Sequence, residues 1–138
     1  MSALRKTLAV TLLLTFSALI SPVAAQEQGI QATINAQIEA FKLDDFETAF
    51  THASPNIQTM FGNPERFGVM VRQGYPMVWR PGALDYLELR ELSGQLWQKV
   101  MIEDSRGTAH ILDYRMVQID GVWRIAGVRI LEAPGVGV

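Results

Sequence analysis

Cysteine is absent from all 138 residues. No disulfide can restrain the unfolded chain, and no thiolate can act as nucleophile or soft metal ligand. Histidine is nearly as scarce. His52 and His110 are the only two, and without thiols beside them they do not make a zinc set, so no metal is expected. No glycine-rich phosphate loop occurs, and no serine or threonine stands in a Gly-x-Ser-x-Gly elbow. Nucleotide binding and triad hydrolysis therefore have no signature, and no cofactor is expected. The adjoining acids Asp44 and Asp45 fall at a helix start, where capping accounts for them.

Long apolar runs are confined to the beginning of the chain. Arg5 and Lys6 supply positive charge, residues 7–20 are almost unbroken apolar sequence, and Val23-Ala24-Ala25 offers small residues for cleavage. This is the three-part pattern of a secretory signal peptide over residues 1–25, with Gln26 as the new N-terminus. A membrane-crossing helix needs about 20 apolar residues; this run stops short of that before Pro22, so cleavage is expected rather than anchoring. Removing 25 of 138 residues leaves 113, the size of one domain, spanning residues 26–132 with a flexible tail at 133–138. Losing Arg5 and Lys6 lowers Lys plus Arg from 12 to 10 against 14 acids, a net charge of −4. That balance disfavours nucleic acid as a partner. The mature chain is expected in the periplasm or medium, free of the membrane and stabilised by burial alone.

Two periodicities divide the domain. Ile30, Ile34, Ile38 and Phe41 recur at helical spacing, and Asp44 reads as the cap of a second short helix carrying Phe46, Ala49 and Phe50. Ser54-Pro55 reads as its stop, followed by a turn over residues 56–62. Asn63-Pro64-Glu65 starts a further helix with Phe67, Met70 and Val71 on its buried stripe and Gly74 at its end. Tyr75-Pro76 predicts extended backbone from Met77 onward. Four strands are predicted at residues 83–92, 95–104, 108–119 and 122–131, joined at Ser93-Gly94, residues 104–107 and Asp120-Gly121. Helices followed by antiparallel strands predict an α+β fold, with the helices packed on one face of a curved sheet of about four strands.

The turns set the register. A two-residue loop at Asp120-Gly121 pairs Ile119 with Val122, Met116 with Ile125, Tyr114 with Gly127, Leu112 with Arg129 and His110 with Leu131. Carried across the sheet, one face holds Trp123, Met116, Ile125, Tyr114, Leu112, His110, Arg129, Leu96, Gln98, Val100, Ile102, Asp85, Leu87 and Leu89. Trp97, Met101, Tyr86, Glu88, Arg90, Asp113 and Arg115 point the other way.

Ala40-Phe41, Asp44-Asp45, Ala49-Phe50, Ala53-Ser54-Pro55, Phe61-Gly62, Phe67, Met70-Val71, Gly74-Tyr75-Pro76, Arg80-Pro81 and the hairpin from Asp120 to Gly127 carry a resemblance across nearly the whole mature chain. Together they are similar to an uncharacterised exported bacterial family, domain of unknown function 4864, in the nuclear transport factor 2-like (cystatin-like) superfamily. The resemblance implies a cone-shaped α+β fold and an envelope location. It supplies no catalytic residues, because the superfamily spans isomerases, dehydratases, polyketide cyclases and binding modules.

In such a cone the inward polar residues are the candidates: Asp85, Gln98, His110, Tyr114 and Arg129. The leading reading is an accessory module of the bacterial envelope that either holds a small apolar ligand against Gln98, His110, Tyr114 and Arg129 or meets a partner protein through its sheet. The alternative is a cofactor-free isomerase or lyase acting on a small hydrophobic carbonyl compound, with Asp85 or His110 as base and Tyr114 as oxyanion donor. Asp85 and His110 would flank Ile102, about 10 Å apart. Each residue also has a structural role open to it: Asp85 in water, Gln98 on a backbone group, His110 hydrogen-bonded, Tyr114 packed over a glycine and Arg129 at the sheet edge. Trp97, Met101, Tyr86 and Leu92 would form an apolar patch on the outward face, the expected site of homodimerisation.

Overall fold

The structure, a computed structural model, describes residues 9–19 and 21–131. The expected tail at 133–138 and the charged start of the expected export signal lie outside those residues. Residues 9–19 form no helix or strand and leave their apolar side chains in solvent, Phe16 at 97%. Helix α1 (Pro22–Lys42) begins where Ser21 Oγ accepts a hydrogen bond from Ala24 N, and it runs unbroken past Gln26. Its stripe of Ile30, Ile34, Ile38 and Phe41 is buried. Helix α2 (Phe46–Thr51) is capped by Asp45, whose carboxylate accepts from Thr48 N, while Asp44 turns the chain through a left-handed backbone (φ 53°).

Two further helical segments stand where the sequence predicts a turn and extended backbone. Ser54-Pro55 ends α2 but also begins α3 (Pro55–Phe61): Ser54 Oγ accepts from Ile57 N, and proline suits the first helical position because its missing N–H is not needed there. Gly62, at φ +82°, closes α3 in a conformation that side chains resist. Asn63 caps α4 (Pro64–Gly74) as expected. Pro76 then opens one more turn, α5 (Pro76–Trp79), so that only Tyr75 carries the non-helical backbone the following proline demands.

The sheet is antiparallel in the order β1 (Leu84–Leu92), β2 (Gln95–Glu103), β3 (Ala109–Ile119), β4 (Val122–Leu131). Asp120 and Gly121 have φ values of 50° and 79°, and Ser93 and Gly94 have 51° and 75°, the signature of type I′ hairpins. The β2–β3 register matches the expectation, with Gln98 opposite Tyr114 and Ile102 opposite His110.

Each outer strand contains a one-residue bulge that reverses part of the expected facing. In β4, Met116 pairs with Ile125 but Arg115 pairs with Gly127, so Ala126 is extra. Beyond it Tyr114 faces Val128, Leu112 faces Ile130 and Asp113 faces Arg129. In β1, Leu89 pairs with Gln98 but Tyr86 pairs with Val100. Asp85 therefore faces Met101 on the outer side, while Leu84 and Tyr86 turn inward. A neighbouring side chain satisfies a carbonyl at each bulge. The Gln98 amide donates to Leu87 O at 3.0 Å, and the Arg115 guanidinium donates to Ala126 O at 3.0 Å.

Helix α1 lies against the inner sheet face. Ile30, Ile34 and Phe41 pack with Val100, Ile102, Leu112 and Tyr114 in the fully buried centre. Removing each such side chain from water stabilises the fold by roughly 1.5–3 kcal/mol. Gly68 lets α4 approach α2, since a Cβ there would stand 2.8 Å from the Phe46 ring.

Candidate functional site

A cavity of about 230 Å³ lies between the helices and the β4 end of the inner face. Helix α1 contributes Gln37 and Phe41, α3 contributes Ile57, Met60 and Phe61, and α4 contributes Phe67, Met70 and Val71. Tyr75, Val78 and Ala53 join Ile125, Gly127 and Val128 to complete the wall. No residue of this wall carries a charge.

Phe67 organises the aromatic side. Its ring lies 5.9 Å from Phe41, 5.3 Å from Phe50 and 5.8 Å from Phe61, tilted or edge-on, the arrangement the ring quadrupole favours. Helix α3 has no buried residue of its own. The Gln58 amide, donating to Phe50 O and Ala53 O, ties it to the end of α2. Ser54 N donates to Ile125 O, and Ile125 N donates to His52 O, fastening the same segment to β4. Exposed Met60 gives the rim a flexible, polarisable side chain.

Wall polarity comes down to two side chains. The Gln37 amide nitrogen donates to Ala49 O at 3.2 Å, and the Tyr75 hydroxyl donates to Val128 O at 3.1 Å. The far wall is held by a clasp around Asp44, which accepts from Trp79 Nε1 at 2.8 Å and Arg80 Nη2 at 3.0 Å. Those hydrogen bonds hold the Asp44 carboxyl below its ordinary pKa. Arg80 also stacks 4.1 Å over the Trp79 ring and donates to Phe41 O, locking α5 to the end of α1.

The five residues singled out from sequence stand elsewhere. Asp85 and Arg129 are on the outer face, placed there by the bulges in β1 and β4. Arg129 lies 3.8 Å over the Trp97 ring and 3.7 Å from Asp113 Oδ2. His110 is at the far end of β3, its Nε2 2.8 Å from Asp104 Oδ2. The His110 bond is the leading cause of a lowered Asp104 pKa. Gln98 is buried, with its nitrogen shared between Leu87 O and Lys99 O. Tyr114 is fully buried, and burial raises its pKa. Only Gln98 and Tyr114 are brought together, as cross-strand neighbours, and both Gln98 Oε1 and Tyr114 Oη lack a hydrogen-bond partner. None of the five lines the cavity, and Asp85 does not share a wall with His110.

The outer face carries charge pairs beside Trp97 and Met101. Arg90 grips buried Asp113 with two 2.8 Å hydrogen bonds, and Lys99 bonds Glu88 at 3.0 Å. Tyr86, expected in an outward patch with Trp97, Met101 and Leu92, faces inward instead, with its hydroxyl donating to Gln31 O and lying 2.7 Å from Asn35 Oδ1. Tyr86 therefore drops out of that patch, while Trp97 and Met101 stay on the outer face. A second, more open hollow of about 400 Å³ beside Trp123 is walled by Pro22, Val23, Ala25 and Gln26 together with Gln118. Among the described residues no helix is long and apolar enough to cross a membrane, and no three His, Asp or Glu residues cluster as metal ligands.

Sequence reasoning missed the α3 wall, although Ser54-Pro55 was the available signal. No curated protein matches the chain. Among solved structures it is similar to an NTF-2 like protein of unknown function from Burkholderia xenovorans LB400, at 16% identity and a TM-score of 0.44, over 79% of this chain and 90% of that one. The family model described as Domain of unknown function (DUF4864) matches residues 23–138, and the chain belongs to that family.

Proposed function

We propose that this protein is an exported binding module that holds a small apolar molecule in the cavity walled by α1, α3, α4, α5 and β4. The observation that carries the reading is the wall itself: about 230 Å³ of space bounded by aromatic and aliphatic side chains, with two polar side chains and no charge. General acid–base chemistry needs a titratable group within hydrogen-bond reach of the substrate. The residues suited to that role, Asp85 and His110, lie away from this wall. That favours binding over an isomerase or lyase. Export is supported by the charged, apolar and small-residue pattern of the first 25 residues, and by the exposure of residues 9–19 outside the core.

A ligand that binds only the folded state raises stability by about 2.7 kcal/mol at 100 times its Kd. Titrating the purified chain with small apolar compounds while following thermal unfolding should therefore raise the melting temperature by several degrees. Ile57→Trp, which fills the cavity from the exposed helix α3, should abolish the rise. A melting temperature unmoved by every compound would sink the proposal.

A further inference from the structure

Resting on that binding reading, we infer that the ligand is an electrically neutral ring compound of about ten non-hydrogen atoms whose polar group is a hydrogen-bond donor, as in an aryl or cyclic alcohol. Size comes first. An apolar cavity of about 150 Å³ takes benzene, and scaling to 230 Å³ admits a ring with a short substituent. A ring also suits the walls. Phe41, Phe61 and Phe67 present edges and tilted faces that another ring can extend, with fewer rotors to immobilise than an acyl chain of equal mass.

Charge is excluded by what the wall lacks. A carboxylate or ammonium group carried into this space would leave water without a counter-ion, and an unpaired buried ion is far costlier than an unpaired dipole. Three of the surrounding cations are committed elsewhere: Arg80 to Asp44 and Phe41 O, Arg72 to the Phe46 ring, and Arg124 to Thr51 O.

The sense of the remaining polarity follows from which atoms are already used. The Gln37 nitrogen must face Ala49 O, because a carbonyl needs a donor, so Gln37 Oε1 is still able to accept. The Tyr75 proton is spent on Val128 O, leaving its oxygen able to accept. Both wall groups therefore retain acceptor capacity, and the one donor left between them is the second Gln37 N–H. A ligand hydroxyl can donate to either oxygen and also accept that N–H, whereas a ketone or aldehyde oxygen can use the single N–H alone and leaves both acceptors unmet.

Five probes of matched size separate these claims: ethylbenzene, acetophenone, 2-phenylethanol, phenylacetate and 2-phenylethylammonium, titrated into the full chain at pH 7 by ligand-observed NMR. The expected order has 2-phenylethanol tightest, several-fold ahead of acetophenone and at least ten-fold ahead of both ions. Ile57→Trp should abolish binding of all five, and Gln37→Leu should bring 2-phenylethanol closer to ethylbenzene, with the Tyr75 oxygen still able to accept. Phenylacetate or 2-phenylethylammonium binding as tightly as the alcohol would overturn neutrality. Acetophenone matching the alcohol would overturn the donor assignment, and binding that survives Ile57→Trp would place the ligand outside this cavity. The unaltered chain decides charge and polarity by itself, so a Gln37→Leu chain that fails to fold removes neither test. If none of the five binds, the binding reading itself falls, an outcome distinct from an unexpected order among probes that do bind.

Discussion

Tyr114→Phe should stabilise this protein, although it deletes a polar group from the centre of a sheet. The Tyr114 side chain is fully buried and its hydroxyl has no hydrogen-bond partner. Burying a hydroxyl without a partner costs roughly 1–3 kcal/mol by protein mutational measures. Phenylalanine keeps the ring and all its packing while removing that cost. The opposing term is the void left by one oxygen, on the order of 10 Å³, which at about 24 cal/mol per Å³ costs about 0.2 kcal/mol. The balance favours phenylalanine by roughly 1–2 kcal/mol. In urea unfolding, an m-value of about 1–2 kcal/mol/M turns this into a midpoint raised by about 1 M with an unchanged slope. The other two tyrosines provide an internal control of opposite sign. Tyr75 donates to Val128 O and Tyr86 to Gln31 O, so Phe at either position should cost about 1 kcal/mol. If Tyr114→Phe loses more than about 0.5 kcal/mol, its hydroxyl has a partner after all, and Gln98 Oε1, itself unpartnered on the paired residue, is the first to test.

Asp113→Asn should cost about 2 kcal/mol by urea unfolding, less than a fully buried ion pair because Arg90 keeps some water. A double-mutant cycle with Arg90→Met should return most of that as coupling energy, and simple additivity would refute the pairing argument. Gly68→Ala and Gly74→Ala should move stability in opposite directions. The first drives a methyl to 2.8 Å from the Phe46 ring and should destabilise by about 1 kcal/mol net, whereas the second meets nothing within 4 Å and should gain up to about 1 kcal/mol from helix propensity. Stability should also fall on mild acidification. Burial, and then Arg124, hold the His52 pKa below its ordinary value, so the folded state binds that proton less readily than the unfolded chain. The associated stability is complete above about pH 6.5 and is lost as pH drops toward the folded-state pKa. His52→Gln should flatten the decline of the urea midpoint between about pH 7.5 and pH 5; an equally steep decline in that variant would reject His52 as its source.

How much of this was readable from residues alone depended on the range of the interaction. Ser93-Gly94 and Asp120-Gly121 announce their hairpins because left-handed backbone is a local demand that few residues meet. Ile30, Ile34, Ile38 and Phe41 announce the buried side of α1 for the same local reason, a fixed helical period. Register beyond a hairpin is not local, because each strand inherits every insertion before it. Ala126 reversed the facing of Arg129, and the extra residue in β1 reversed that of Asp85 and Tyr86. Gly127, a glycine within a strand, hinted at the first bulge, and the adjacent apolar pair Tyr86-Leu87 hinted at the second. The cavity was less legible still. One dipeptide, Ser54-Pro55, serves as stop and start together, and reading only the stop erased the helix that supplies Ile57, Met60 and Phe61.

The two bulges also sit where the sheet is most vulnerable to other chains. Strands β1 and β4 are its outer members, and each presents a row of backbone groups that a neighbour could extend into an aggregate. A bulge bends and twists such a strand, interrupting the flat template that polymerisation requires. On β4 the segment around Ala53 adds a parallel bridge to Ile125, occupying part of the same edge. For a chain with no disulfide to limit its unfolding, the irregularities that confound its register thus act as guards against cross-β assembly.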